Sequence, residues 1–288
     1  MVFRRTWWIG LTLAAVWSCS ANDPSANHLT GGPPGGPRPA PDSGGDSPPD
    51  VNVSPGAGGD ASFEIDTGAA DDAGGNPDGG NAVGCTGAKV CDDFESYAKG
   101  GAPTAPWTAD VASAAMAIDD TRAFSGTKSV HITTQGGGAK ALIVQTAPLL
   151  PFAGNNVYGR FMMFSNVMPT THYHLVIANG PGDNGQMTMG GIESSKALFN
   201  YGPGDNTAVS NTQYPSGKWT CIQWQFDGPN TTARMSIDGL SLDNQITNWQ
   251  SFSIAKLSIG LLNCCDDAPM VDMWIDAVAI DDKPVACP

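Results

Sequence analysis

The sequence predicts an all-β fold, a two-sheet antiparallel β-sandwich of jelly-roll form over residues 84–288, behind a long disordered linker. Three observations predict it. From Gly84 onward, short stretches of strand-like composition or alternation recur between clusters of Gly, Pro, Asn and Asp. No stretch sustains a helical period over three turns. The segment is about 205 residues long and holds some ten strand-like stretches, which suits two stacked sheets better than a small barrel.

The predicted strands, in order, are KSVHITT from 128, AKALIVQT from 139, NVYGRFMMF from 156, HYHLVIAN from 172 and QMTMGGI from 186. KWTCIQWQFD from 218, ARMSIDG from 233, AKLSIGLL from 255 and VDMWIDAVAID from 271 follow. Asp238-Gly239 marks a tight hairpin after ARMSI, because both residues tolerate positive φ. Side chains alternate across a strand, so faces can be assigned. In KSVHITT, Val130 and Ile132 take the core side and His131 the polar side. In KWTCIQWQF, Ile222, Trp224 and Phe226 share one face, with Cys221, Gln223 and Gln225 opposite. Tyr158, Arg160 and Met162 share a face of their strand, as do His172 and His174 of theirs. Several strands therefore offer a face of His, Arg and Gln, the composition of a sugar-binding concavity.

The first nineteen residues read as an export signal. Arg4 and Arg5 precede an apolar run, TWWIGLTLAAVW, that is too short to span a bilayer comfortably and stops at Ser18-Cys19. Val16-Trp17-Ser18-Cys19 resembles a bacterial lipobox, which makes Cys19 the candidate lipidation site and the protein an exported outer-membrane or cell-surface lipoprotein, or else a secreted one. Residues 20–83 are rich in Gly, Pro, Asp, Ser, Asn and Ala, with too few apolar anchors to offset the entropy of ordering. They read as a disordered spacer. Removing Cys19 from the seven cysteines leaves six in an oxidising compartment, where disulfides are the default. The short Cys85–Cys91 loop and a late pairing onto Cys287 are reasonable expectations, while Cys264 and Cys265 pair either vicinally or with separate partners.

The net charge of −14 excludes a nucleic-acid surface, which needs a basic patch. Much of that charge belongs to the spacer, where ten acids face Arg38 alone. No GxSxG, P-loop, HExxH or Rossmann glycine pattern occurs, and no CxxC or Cys/His spacing suggests zinc.

The phrases CDDFESY, TRAFSGTKSVHITT, KWTCIQWQFDGPN and MWIDAVAID resemble those of a polysaccharide-lyase-like, concanavalin-like jelly-roll family. It includes fungal glucuronan lyases and a secreted fungal protein co-produced with cellulases, and similar domains occur on lipoproteins of myxobacterial type. The resemblance covers nearly all of residues 91–288. It implies a structural calcium site joining the chain ends, with Asp93, Glu95, Ser125, Lys128 and Asp276 around a Ser-Gly turn, because Ca²⁺ takes six to eight oxygens. It also implies action on an acidic, uronic-acid-containing polysaccharide. β-Elimination needs a group to neutralise the carboxylate, a base and an acid over one sugar. Arg160 and Gln223 are candidates for the first role, and His131, His172, His174 and Tyr201 for the others. Binding alone needs less: Trp107, Tyr158, Tyr173, Tyr201, Tyr214 or Trp249 could stack on sugar rings beside Gln186, Gln223 and Gln225. The competing expectations are a lyase, a non-catalytic carbohydrate-binding module, and a structural or adhesive lipoprotein, each expected to be a monomer.

Overall fold

A computed structural model describes residues 87–201, 206–264 and 268–288. The export signal, Cys19, the spacer and Cys85 lie outside the described residues. The architecture is an all-β sandwich of two antiparallel sheets. Its strands are β1 (Val90–Asp92), β2 (Thr108–Ala112), β3 (Ala114–Asp119), β4 (Ser129–Thr134), β5 (Lys140–Gln145), β6 (Asn156–Ser165), β7 (Tyr173–Asn179) and β8 (Gln186–Ile192). There follow β9 (Lys196–Tyr201), β10 (Asn206–Gln213), β11 (Thr220–Asp227), β12 (Thr232–Ile237), β13 (Leu240–Ser241), β14 (Ile246–Thr247), β15 (Lys256–Asn263) and β16 (Asp272–Asp281). One sheet runs β13-β12-β11-β6-β16-β4-β3, with β1 on β16 and β14 on β12; the other runs β10-β9-β8-β7-β15-β5-β2.

All nine expected strands form. The expected hairpin forms too, with Asp238 at φ 50° and Gly239 at φ 77°, the double positive φ of a type I′ turn. Between the sheets lies one apolar cluster in which Val130, Ile132, Ile222, Trp224 and Phe226 take the predicted inward side. Gly159 faces Trp224 across β6 and β11, and a Cβ there would stand 2.1 Å from the indole ring. Only a residue without a side chain lets that ring lie flat on the strand.

The first strand pairs with the last, Val90 with Ile280 and Asp92 with Val278, so the two ends of the domain are stitched together in one sheet. A second, smaller apolar cluster sits on the outer face of the nine-stranded sheet, where Met162, Cys221 and Ala277 pack with Phe124, Trp219 and Cys287. The Cys221–Cys287 disulfide pins the C-terminal tail over it. This is the expected late pairing onto Cys287.

Candidate functional site

Five separate neighbourhoods receive the residues singled out from the sequence as catalytic or metal-binding candidates. His131 emerges on the outer face of the nine-stranded sheet, as alternation predicts. Its Nδ1 lies 2.8 Å from Asp119 Oδ2 and its Nε2 reaches Asp272, while the ring stacks on Trp274 with centroids 4.2 Å apart. Two carboxylates and an indole thus fix the imidazole in place.

Arg160 points from the same face but is fully buried. Its Nη1 donates to the carbonyl of Ala277 at 2.6 Å. Desolvation pulls the guanidinium down to about 10, against the favourable charge of Asp276, so it remains a cation at neutral pH. Gln223, its cross-strand partner, donates to the carbonyl of Val285 in the C-terminal tail at 2.7 Å and accepts from Ser236. The expectation of a single sugar-binding concavity of His, Arg and Gln is therefore corrected for Arg160 and His131. From Arg160 to Phe164, which lies level with His131 across β16, is four residues or about 13 Å of strand. The tail and the Phe124–Trp219 contact cover the stretch around Arg160.

Tyr201 lies on neither outer face. It belongs to the core between the sheets, its ring against Trp249 and its hydroxyl donating to the carbonyl of Gln250 at 2.9 Å. Trp107, Tyr173, Tyr214 and Trp249 are core residues as well, which removes them as a stacking platform. Tyr158 stays half-buried, holding Gln225 through its hydroxyl.

The proposed calcium ligands do come near one another, but as a hydrogen-bonded knot. Both Glu95 oxygens are taken, Oε1 by the N–H groups of Thr127 and Lys128 and Oε2 by the Thr127 hydroxyl. Asp276 Oδ2 accepts from the N–H groups of Phe124 and Ser125, and its Oδ1 from Ala277. Asp93 Oδ1 accepts from the N–H of Glu95. Lys128 extends its ammonium to the carbonyls of Glu95 and Tyr97 at 2.6 and 2.9 Å. An ammonium has no lone pair to give a metal and carries its own positive charge into those oxygens. This set does not fit a calcium ion. The chain ends are instead tied by the pairing of β1 with β16 and by these hydrogen bonds.

His172 and His174 occupy the outer face of the other sheet, at the end where β7 begins. Their rings meet edge to face, centroids 4.6 Å apart. Further along that face a row crosses four strands, in which the polar Asn200, Thr188 and Ser258 are interrupted by Ile177. Gln186, Asn179 and Lys256 form the next row. Lys140 and Lys196 stand on the same face by alternation from Ala141 and Ala197, both of which are in the core. These lysines escaped the sequence reading because a strand's outward face can be named without knowing which sheet it joins. Only the register gathers Lys140, Lys196 and Lys256 on one surface.

No family model matches the sequence, and no curated protein matches it. Among solved structures, the cellulose-induced protein Cip1 superposes with a TM-score of 0.57 at 18% identity, over 69% of this chain and 100% of Cip1. The likeness is one of fold. The endo-β-1,4-glucuronan lyase of the fungus Trichoderma reesei follows at TM-score 0.47 and 14% identity, over 67% of this chain and 95% of the lyase. A structure of botulinum neurotoxin type C, whose cell entry depends on interaction with two ganglioside molecules, reaches 0.47 at 12% identity, over 69% of this chain and 49% of the toxin chain. The jelly-roll architecture expected from the sequence is thus shared with Cip1.

Proposed function

We propose that this domain binds an acidic polysaccharide along the outer face of its seven-stranded sheet, and that it does so without cleaving it. The observation that carries the reading is a local reversal of charge. On a chain of net charge −14, this face presents Lys140, Lys196 and Lys256 beside the amides of Gln186 and Asn200, all half-buried, with Asn179 and Thr188 buried among them. Among the described strand residues its acid is Asp110, which Lys140 already engages at 2.7 Å. Half-buried ammonium groups beside hydroxyls and amides suit a chain of carboxylated sugars, since charge-assisted hydrogen bonds are the stronger kind. Elimination would require a cation, a base and an acid over one uronate. Of the six residues considered for it, His172 and His174 alone stand on this face. The surface location suggested by Cys19 fits a binder held at a membrane by its lipid, and remains part of the proposal.

Titration of the purified protein with glucuronan, alginate and a neutral glucan tests the reading. Preference for the two uronans that weakens with salt is expected. Lys196→Ala with Lys256→Ala should reduce affinity by about tenfold, or roughly 1.4 kcal/mol, and His131→Ala should leave it unchanged. Ultraviolet absorbance from unsaturated uronides should stay flat. Equal affinity for the neutral glucan, or indifference to the lysine variants, would discard the proposal, and a rising absorbance would replace binding by cleavage.

A further inference from the structure

At the β7 end of this face, His172, His174 and Cys264 converge: each offers one ligand atom, and these atoms all lie within 4.8 Å of one another. The sheet register makes the convergence. Asn263 pairs with Tyr173, and the N–H of Cys264 donates to the carbonyl of His172 at 2.9 Å, so Cys264 lies opposite His172 just beyond the paired ends of β15 and β7. His174, two residues along, shares the side of His172. Its partner on β8 is Gly190, where a Cβ would stand 1.9 Å from the carbonyl oxygen of Tyr173 and 2.7 Å from His174 Cα. No side chain can therefore stand beside His174 from that strand. Both imidazoles are buried, at 6% and 8% exposure, and Cys264 is half-buried at the rim.

We propose that these three residues bind a zinc(II) ion. Two imidazole nitrogens and a thiolate are a borderline-to-soft donor set, which selects a late first-row ion over calcium or magnesium. Tetrahedral zinc bonds of roughly 2.0–2.3 Å place neighbouring ligand atoms about 3.3–3.8 Å apart. Zinc binding requires the two rings and the thiol to turn until the observed spread closes to that size. Binding takes two neutral imidazoles and one thiol, forms one Zn–S and two Zn–N bonds, and releases the thiol proton to solvent. The fourth tetrahedral position is left for water or an exogenous ligand. The cluster was invisible in the sequence because Cys264 lies ninety residues beyond His174, outside any local metal-binding spacing. It is independent of the polysaccharide reading, which rests on lysines that are not in the cluster.

The full chain, stripped with chelator and dialysed against zinc chloride, should retain one zinc per chain by elemental analysis. His174→Ala and Cys264→Ser should each weaken zinc binding by at least about a hundredfold, while Lys196→Ala keeps it intact. Cobalt(II) in place of zinc should give a sulfur-to-metal charge-transfer band that Cys264→Ser abolishes. On the unmutated protein, zinc should protect Cys264 from alkylation, a readout that does not depend on any variant folding. Retention of zinc by the Cys264→Ser and His174→Ala proteins at native affinity would overturn the assignment. So would alkylation indifferent to zinc, or a Cys264 found in a disulfide by peptide mapping. Loss of polysaccharide affinity in the lysine variants with zinc retained would separate the two proposals.

Discussion

Asp276 shows how one side chain can be placed by its neighbours and still be under tension. Burial raises its carboxyl to about 7, outweighing the three N–H groups of Ser125, Phe124 and Ala277 that favour its charged form, and the nearby charge of Asp93 adds to the rise. The folded value lies above the ordinary one of 3.8, so the folded chain holds a proton there that the unfolded chain has lost. Its contribution is fully present below that ordinary value and disappears as pH rises through about 7. Calorimetry should accordingly show the melting temperature falling as pH is raised from about 5 to about 8, with a flatter dependence in Asp276→Asn. A native protein whose stability rises over that window, with the same slope in the variant, would contradict this. At this scale the sequence was readable in one respect only. Alternation put His131 and Arg160 on outward faces, and they are there. It could not show that Arg160 would be roofed by Val285 and Cys287, because that roof comes from the far end of the chain.

Among the elements, the strands that were legible are apolar runs, alternating or continuous, set between clusters of Gly, Pro, Asn and Asp. β3, β10, β13 and β14 lack that texture and were missed. β3 reads AAMAID, and alanine carries little strand preference; β10 reads NTAVSNTQ, in which polar residues nearly hide the register; β13 and β14 are two residues each. Irregularities were equally hidden, although they shape the faces. Pairing of β16 with β6 slips between Asp276 and Ala279, with Ala277 at φ 47°, and this bulge turns the Ala277 carbonyl toward Arg160. On the other sheet the slips between His174 and Val176 and between Ile259 and Leu262 bring main chains so close that Gly190 has no room for a methyl group. Gly190→Ala should therefore cost about 3 kcal/mol, at the upper end of overpacking penalties. Chemical denaturation would register it as an earlier midpoint. An unchanged midpoint would mean that β7 and β8 are further apart than described.

For the molecule as a whole, the two sheets and their core were legible in outline, since composition and strand spacing suffice for a sandwich. Which outer face stays accessible was not, because it depends on where the tail and loops come to rest. The Cys221–Cys287 disulfide, spanning 66 residues, settles that for the tail. By loop-closure entropy it is worth about 4 kcal/mol. Cys287→Ser should lower the melting temperature by about 10 °C, given some 2–4 °C per kcal/mol for a domain of this size. Loss of the small Met162–Cys221–Ala277 cluster should accompany it, seen as faster hydrogen exchange along β6 and β11 than in the unmutated protein. A melting temperature within about 2 °C of native would show that the tail holds without its covalent tie.

The covered centre of the nine-stranded sheet also limits valency. With Arg160 and Gln223 occupied by main-chain carbonyls beneath the tail, the centre of that sheet offers neither side chain to a polymer. If the proposed polysaccharide binds the seven-stranded sheet alone, each copy decorates a strand of polymer without stapling it to a second strand. Such a protein would thicken no gel and bundle no fibre, and any cross-linking in its presence would have to come from many copies held on a common support.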